Sequence, residues 1–236
     1  MNVGIMQPYF FPYIGYWQLI YAVDKYVVFD DVNYIKRGWI NKNYILYNNQ
    51  RKQINVYLKG VSQNKLINEV EIGDRDNNLN NLTVIQDAYR KAPYFEQVFP
   101  IIEKIICQDA TNVAEYNEFL LKAIIKYLGI STEIYRSSDL NKDNSLRGQD
   151  KIIDICKVLG ADAYYNAIGG TELYHIDAFR NNNMELFFLN PGAVNYKQFG
   201  DVFVSDLSII DVLMFNSIMD IRGLLENYEL VKGGSI

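Results

Sequence analysis

The stretch that most constrains the fold is residues 3–23. It opens with the apolar run Val-Gly-Ile-Met at 3–6, which has the length of a buried parallel strand. A loop at 7–13 follows with two prolines and four aromatic rings, and apolar residues at 14, 17, 20, 21 and 23 then predict a helix. A strand, a rigid loop and a helix at the start of a chain are the usual opening of a nucleotide-binding α/β domain.

The loop has the residue types of a binding site. Its prolines fix φ and lack an N–H, so rings such as that of Tyr9 are held rigidly enough to stack on a nucleobase or a sugar, and Gln7 can read a polar edge. Tyr13, Gly15 and Tyr16 have the spacing of the His-x-Gly-His signature of class I adenylate-forming and nucleotidyl-transferring enzymes, in which the glycine lets a ligand approach the backbone. A neutral phenol cannot replace a protonated imidazole against a polyphosphate. The alternative is that the rings only pack the first helix on the sheet.

A second polar cluster follows a predicted strand at 25–30. The strand ends in Asp30-Asp31, and parallel α/β sheets bind ligands at the carboxyl ends of their strands. One of these carboxylates could accept a proton from an amine or orient it. Lys36 and Arg37 could hold a diphosphate. The further predicted substrate contacts are Tyr34, Asn41 and Asn43. The alternative is a solvated, salt-bridged hairpin.

Two later loops are further candidates for substrate binding. Ser137-Ser138 open a polar loop, and Arg147 beyond it stands at a predicted helix start, where it could meet an anion. Gly169 and Gly170 permit backbone amides to meet an anion or a planar group. An ordinary tight turn explains the glycines equally well.

The remaining pattern predicts an α/β fold. Residues 34–72 alternate enough to predict a β-rich insertion that contains a hairpin, and 78–128 have helical periodicity. Residues 132–171 give a strand, polar loop, helix, strand and Gly-Gly loop, which is a βαβ unit, and 185–189 are predicted to be the last strand. The predicted organisation is a single domain over 1–236, with an α/β core at 1–75 and 130–236 and a helical block at 76–129.

Composition excludes several function classes. A net charge of −5 argues against a general nucleic-acid binder, although a local basic patch stays open. With one histidine, His175, a multi-His metal site is excluded and no metal is expected; Cys107 and Cys156 lie in apolar helical runs and are predicted to be buried thiols. The sequence has no dinucleotide-binding glycine fingerprint, Walker A motif or Gly-x-Ser-x-Gly elbow. No signal peptide or membrane span is apparent, so we expect a cytoplasmic protein.

Five segments resemble a known family. Residues 6–20 and 30–43, with 90–95, 152–162 and 207–213, are similar to the WbqC-like family of bacterial polysaccharide loci, over nearly the whole chain. The resemblance implies an enzyme of O-antigen and lipopolysaccharide biosynthesis, because members lie among genes for O-antigen sugars, often beside enzymes for amino deoxysugars. With the sequence pattern, it leads us to expect a Rossmann-like, class I nucleotidyltransferase-like parallel sheet core with a β-rich insertion and a helical block.

We therefore expect a transferase that acylates or aminoacylates the amine of a nucleotide-linked amino deoxysugar. Asp30 or Asp31 would accept the proton, and Tyr13, Tyr16 or amides near Gly15 would stabilise the oxyanion. No tightly bound cofactor is expected; the co-substrate would be an activated donor, either an acyl thioester on a carrier or an aminoacyl-tRNA. A homo-oligomer stays open. The alternatives are an ATP-dependent ligase or nucleotidyltransferase, which the loss of both histidines disfavours, and a non-catalytic sugar-nucleotide-binding protein.

Overall fold

Residues 1–234, the part of the chain that the computed structural model describes, form ten strands and eight α-helices. The strands are β1 (Asn2–Met6), β2 (Lys25–Val28), β3 (Lys42–Tyr47), β4 (Gln50–Asn55), β5 (Leu58–Lys59), β6 (Glu71–Ile72), β7 (Glu133–Arg136), β8 (Ala163–Ala167), β9 (Glu185–Pro191) and β10 (Tyr228–Lys232). The helices are α1 (Ile14–Tyr21), α2 (Arg75–Tyr89), α3 (Phe95–Ile106), α4 (Val113–Leu128), α5 (Gly148–Leu159), α6 (Ile176–Arg180), α7 (Ile209–Phe215) and α8 (Ile218–Glu226).

The main sheet has the strand order β7-β2-β1-β8-β9-β10. The first five strands are parallel, and Met6 lies opposite Val28, so the two opening strands are parallel neighbours as predicted. Numbered along the chain, the parallel strands run 3-2-1-4-5, and the order reverses between β1 and β8. The central residues of β1, β2 and β8 are buried because helices cover both faces of the sheet.

One strand of this sheet differs from the prediction. The last strand is β10, which pairs antiparallel with β9, and not the predicted strand at 185–189. Most residues of β10 are exposed or only partly buried, so the strand lacks the apolar run by which a sequence reveals a buried strand. The prediction of a mixed α/β fold with a mainly parallel sheet is confirmed.

Residues typical of helix boundaries stand at the ends of several helices. Asp74 and Asn112 cap α2 and α4 by accepting hydrogen bonds from first-turn amides. Gly129 ends α4 and Gly160 ends α5, both with left-handed backbones. Helices α2, α3 and α4 pack on one another in sequence, and Pro93 lies in the break between α2 and α3. The helical pattern predicted at 78–128 is therefore confirmed.

The predicted β-rich insertion is also present. Strands β3 and β4 form an antiparallel hairpin whose turn, Asn48-Asn49, has left-handed φ values of 51° and 60°. The hairpin packs on α2, and β3 also contacts α7. A second, shorter hairpin is formed by β5 and β6.

The cysteine prediction is half right. Cys156 is buried, but Cys107 is exposed because it follows the last residue of α3 and lies beyond the buried face of that helix. Within residues 1–234, no helix is long and apolar enough to cross a membrane.

Candidate functional site

Two adjoining cavities lie where the loop at 7–13, which we call the aromatic–proline loop, meets α1. The first, which we call the β9 cavity, has a volume of about 490 Å³ and lies between the start of α1 and the residues that follow β9. The second, the Trp39 cavity, has a volume of about 480 Å³. Tyr13 and Asp206 line both. Each volume is in the range of small-molecule sites, and Tyr13 belongs to the loop that the sequence singled out.

The aromatic–proline loop is strained. Phe11 is fully buried and has a φ of +42°, in the left-handed region that residues with a Cβ rarely adopt. Such a conformation costs roughly 1–3 kcal/mol and persists only where the surrounding structure enforces it. The rest of the fold therefore holds this loop in one shape.

Three buried side chains from different elements hold the loop by donating to its backbone carbonyls. They come from α1, β3 and α4, so the loop is tied to the sheet side, the hairpin and the helical block at once. The bonds are Trp17 Nε1 to Pro12 O at 3.0 Å, Asn43 Nδ2 to Phe10 O and Phe11 O at 3.2 and 2.8 Å, and Asn117 Nδ2 to Pro8 O at 3.1 Å. Asn43, predicted to bind substrate, lines the Trp39 cavity. Its side-chain NH2 group, however, donates to the loop carbonyls.

Tyr13 and Asp206 supply complementary groups at the junction of the two cavities. Asp206 has a left-handed φ of 54°, and Arg51 fixes its turn by donating to Ser205 O and Asp206 O, both at 3.0 Å. Burial and then the charge of Asp206 raise the pKa of Tyr13. The Tyr13 phenol is therefore protonated at neutral pH and can donate a hydrogen bond, whereas the largely exposed carboxylate can accept a proton.

Tyr16 lies in the core and lines neither of the two cavities. It is 1% exposed, its hydroxyl donates to Gln7 O at 2.9 Å, and its ring lies 5.3 Å from that of Tyr9. Burial raises its pKa well above the usual value. The two tyrosines predicted as oxyanion donors are thus separated, and only Tyr13 lines a cavity. Tyr9 lines the Trp39 cavity, while Gln7 lines neither.

Gly15 is required by close packing. A Cβ at this position would lie 2.6 Å from the Tyr13 ring and 3.0 Å from Pro191. The glycine therefore allows the Tyr13 ring to lie against the first turn of α1, and Gly15 also lines the β9 cavity. The approach of a ligand to its backbone stays a prediction.

Residues 7–222 match the model of the WbqC-like protein family. The chain belongs to this family. A protein of Mycobacterium tuberculosis, named uncharacterized protein Rv1507c, is 29% identical over 219 residues, which cover 91% of this chain and 93% of that protein. No solved structure matches the chain. The family resemblance inferred from the sequence is thereby confirmed.

Asp30 of this WbqC-like chain is fully buried at the end of β2. Its carboxylate accepts hydrogen bonds from the amide and hydroxyl of Ser138 at 2.9 and 2.6 Å, and its backbone carbonyl accepts from the amide of Asn68 at 3.0 Å. Burial raises the pKa of Asp30, and the bonds from Ser138 oppose that shift. Asp30 thus ties the ends of β2 and β7 together, and it lines neither cavity.

Asp31 is held by two buried lysines. Lys142 Nζ and Lys151 Nζ lie 2.7 and 2.9 Å from its Oδ2, and the side chains of both lysines are almost completely inaccessible to solvent. Burial would raise the pKa of Asp31, but its interactions with Lys142, Ser137 and Lys151 outweigh burial and lower it. The paired carboxylates predicted from the sequence therefore have different environments, and neither lies beside Tyr13.

The polar cluster predicted after Asp31 divides into two parts. Tyr34 is buried and donates to Asn41 Oδ1 at 3.0 Å, and Asn41 in turn donates to Val56 O at 3.0 Å, so both stabilise the insertion. Lys36 and Arg37 are exposed, and among the described residues neither forms an ion pair. The alternative interpretation, a salt-bridged hairpin, therefore does not hold for Lys36 and Arg37, and the ion-pair partners of Asp31 are Lys142 and Lys151.

The later candidates lie away from the two cavities. Arg147 is exposed and donates to the carbonyls of Asn144 and Leu146, within its own loop. Gly169 and Gly170 lie in a 3₁₀-helix after β8, where a Cβ at Gly170 would lie 2.8 Å from Asn166 Nδ2. These residues do not line either cavity.

Several residues that line the two cavities, or that bond to a lining residue, were not predicted as site residues. Asp211 is fully buried and accepts hydrogen bonds from Tyr89, Tyr196 and Gln198 at 2.8, 2.7 and 2.6 Å, and Tyr196 lines the β9 cavity. Its position in the apolar run 207–213 was a usable signal, since a lone carboxylate on a buried helix face needs partners. The sequence around Arg51 and Asp206 had no comparable signal, because these residues are far apart in the sequence and only the tertiary structure brings them together.

Proposed function

We propose that the chain transfers an acyl or aminoacyl group to the amine of a nucleotide-linked amino deoxysugar. The observation that carries this proposal is the pair of ligand-sized cavities that share Tyr13 and Asp206. Group transfer brings two substrates together at one pair of reacting atoms. Two cavities that meet at one hydrogen-bond donor and one proton acceptor have the layout that such a reaction needs.

The β9 cavity suits the acceptor sugar. The rings of Tyr13, Tyr196 and Phe203 line it and offer apolar faces on which a sugar ring packs, and Ser205 and Asp206 supply polar groups for its amine. The Trp39 cavity then receives the donor. Trp39 and Arg51 line it, and both are exposed.

In the proposed reaction, the amine nitrogen attacks the acyl carbon of the donor. A C–N bond forms, and the C–S bond of a thioester or the C–O bond of an aminoacyl ester breaks. Asp206 accepts a proton from the amine and returns it to the leaving thiolate or alkoxide, and the Tyr13 hydroxyl donates to the oxyanion. Asp30 and Asp31 stay candidates for the base, but the geometry favours Asp206 because it lines both cavities.

The strand order supports a Rossmann-like core for this enzyme. The order 3-2-1-4-5 is shared with doubly wound dinucleotide-binding folds, whose ligands bind where the order reverses, outside the carboxyl ends of the strands. The loop between β1 and α1 leaves the sheet at that point. We therefore extend the proposal to a class I nucleotidyltransferase-like scaffold that has lost the polyphosphate chemistry.

The test is the product mass obtained from a dTDP-linked amino sugar and an activated acyl donor. Asp206→Asn should lower turnover by about 10²–10⁴-fold, the usual contribution of a general base, and leave the affinity for the sugar nucleotide nearly unchanged. Asp201→Asn is the matched control, since Asp201 is exposed nearby but lines neither of the two cavities. Normal turnover in Asp206→Asn, together with loss of turnover in a stably folded Asp30→Asn, would return the base to Asp30.

A further inference from the structure

The β-rich insertion has a charge opposite to that of the rest of the chain. Residues 32–68, which we call the cationic segment, contain seven Lys or Arg residues and no Asp or Glu. The whole chain has a formal charge of −5 and this segment +7, so the remainder carries −12. Such a separation within one chain indicates a surface that attracts anions.

The cations of this segment are available to a partner. None of the seven is buried, and among the described residues only Arg51 forms an ion pair, a long one of 3.9 Å with Asp206. The other six are Lys36, Arg37, Lys42, Lys52, Lys59 and Lys65. They come from the loop before β3, from both hairpins and from the β5–β6 loop, so the positive charge extends over the insertion.

Aromatic rings alternate with these cations. The Arg51 guanidinium lies 5.6 Å from the centre of the Tyr44 ring, and Lys52 Nζ lies 5.0 Å from that of Tyr47. Trp39 and Tyr57 are 44% and 45% exposed, which is unusual for rings of this size. Cations for phosphates together with rings for bases are the two components of surfaces that bind single-stranded nucleic acid.

We propose that the cationic segment docks the single-stranded 3′ end of an RNA. Trp39, Asn43 and Arg51 belong to this segment and also line the Trp39 cavity, so a strand bound on the segment can direct its terminal ribose toward Tyr13 and Asp206. This inference rests on the proposed transfer in one respect, the identity of the donor. If the segment docks an RNA end, the donor is an aminoacyl ester carried on that end. The RNA contact itself does not depend on catalysis.

The distribution of groups favours RNA over an acidic carrier protein. Protein interfaces concentrate apolar contacts at their centre. The exposed large apolar side chains of the segment are Ile35, Trp39 and Tyr57, two of which are aromatic, and they are dispersed among cations. Alternating rings and cations match the alternating bases and phosphates of a strand.

The experiment is fluorescence anisotropy with labelled tRNA, compared with the same tRNA trimmed of its single-stranded 3′ end. Lys36→Glu/Arg37→Glu should weaken binding of the intact tRNA by at least about tenfold near 0.1 M salt. The slope of log K against log salt concentration should also decrease, by the amount expected for the loss of about two phosphate contacts. The control is Arg90→Glu/Lys91→Glu, an adjacent pair of exposed cations outside the segment that makes no ion pair within the described residues. We expect it to change the affinity less than about twofold. Lys36→Gln/Arg37→Gln repeats the test with a milder change.

Each outcome decides the proposal. It is overturned if both pairs of variants weaken binding equally, if trimming the 3′ end has no effect, or if an acidic acyl carrier protein binds the segment while tRNA does not bind. Acyl transfer from a thioester without RNA binding would retain the proposed function and remove this inference. RNA binding that depends on the segment, without transfer from an aminoacylated tRNA, would retain the docking surface and remove the proposed function.

Discussion

Asp31 is a single carboxylate that compensates two buried lysines. Both Nζ atoms lie within 3 Å of its Oδ2, and Lys151 also lies 5.4 Å from the centre of the Phe29 ring. Removal of the carboxylate would leave two like charges buried together, whereas removal of Lys151 would leave a neutral Lys142–Asp31 pair. Partners of a buried ion pair are costly to remove because the remaining charge is unpaired.

The first prediction follows from this asymmetry. Asp31→Asn should lower the free energy of unfolding by about 3–5 kcal/mol at pH 7, and Lys151→Met should lower it clearly less. The pKa of Asp31 is lowered in the folded state, so its contribution is complete above the usual value of 3.8 and is lost as the pH falls through the folded pKa. Urea unfolding of both variants at pH 7 and below pH 4 tests both statements. Equal losses in the two variants at pH 7 would contradict the first.

Asp211 is the opposite case, since it has three hydroxyl or amide donors and no cation among its partners. Burial raises its pKa, and the three donors oppose the shift. An acid whose pKa is raised by folding binds its proton more tightly in the folded state, so its ionisation reduces stability as the pH rises. Each donor limits that loss.

We therefore predict that Tyr89→Phe destabilises the fold more at pH 7 than at pH 4. One part of the loss should not depend on pH, because the Leu46 amide donates to the Tyr89 hydroxyl at 2.8 Å. A further loss of about 1.5–3 kcal/mol, the scale of a hydrogen bond to a charged group, should be present only where Asp211 is ionised. Tyr21→Phe is the matched control, since its hydroxyl donates to the exposed Glu226 at 2.8 Å and should matter little. Urea unfolding at the two pH values measures the difference, and a loss in Tyr89→Phe independent of pH would refute the explanation.

At the scale of elements, the aromatic–proline loop is a strained segment held by side chains from α1, β3 and α4. The predicted strand–loop–helix opening is confirmed because prolines and apolar spacing are local signals. The side chains that hold the loop were not predicted in this role, since Asn43 and Asn117 are separated from it by 32 or more residues. Local pattern therefore reveals the loop, and tertiary contacts decide its shape.

Asn43→Asp tests the role of these contacts. The substitution keeps the shape of the side chain but replaces a donor by an oxygen that faces two backbone carbonyls. We expect a loss of about 1–3 kcal/mol in stability for the buried groups left unsatisfied, and faster hydrogen exchange in residues 9–13. Asn80→Asp, on the exposed face of α2, is the control. Unchanged exchange in the loop would show that Asn43 does not hold it.

At the scale of the whole molecule, the prediction from sequence succeeded for the parallel core, the insertion and the helical pattern, which depend on apolar period and turn residues. It missed β10, an edge strand with little apolar content, and it missed the pairing of Arg51 with Asp206, whose positions lie 155 residues apart. It correctly placed Asp30 and Asp31 at the carboxyl ends of the parallel strands. The pattern could not show that Ser138 and two lysines already occupy their carboxylates.

The last prediction concerns ATP. Tyr13 and Tyr16 have the spacing of the two histidines of the His-x-Gly-His signature. Tyr16 lies in the core, and its hydroxyl donates to Gln7 O. The pKa values of both Tyr13 and Tyr16 are raised, so both phenols stay neutral. A neutral phenol cannot offset the charge of a departing pyrophosphate.

Transfer from an already activated donor needs no such group, so we expect the same yield of acylated amino sugar with and without ATP, and no release of AMP or pyrophosphate. Incubation of the full chain with a dTDP-linked amino sugar and an aminoacyl-tRNA or acyl thioester, followed by mass spectrometry of sugar and nucleotide products, measures both. A strict requirement for ATP with stoichiometric AMP would identify a ligase that uses other residues for the polyphosphate. Binding of the sugar nucleotide without turnover from any donor would indicate a binding protein.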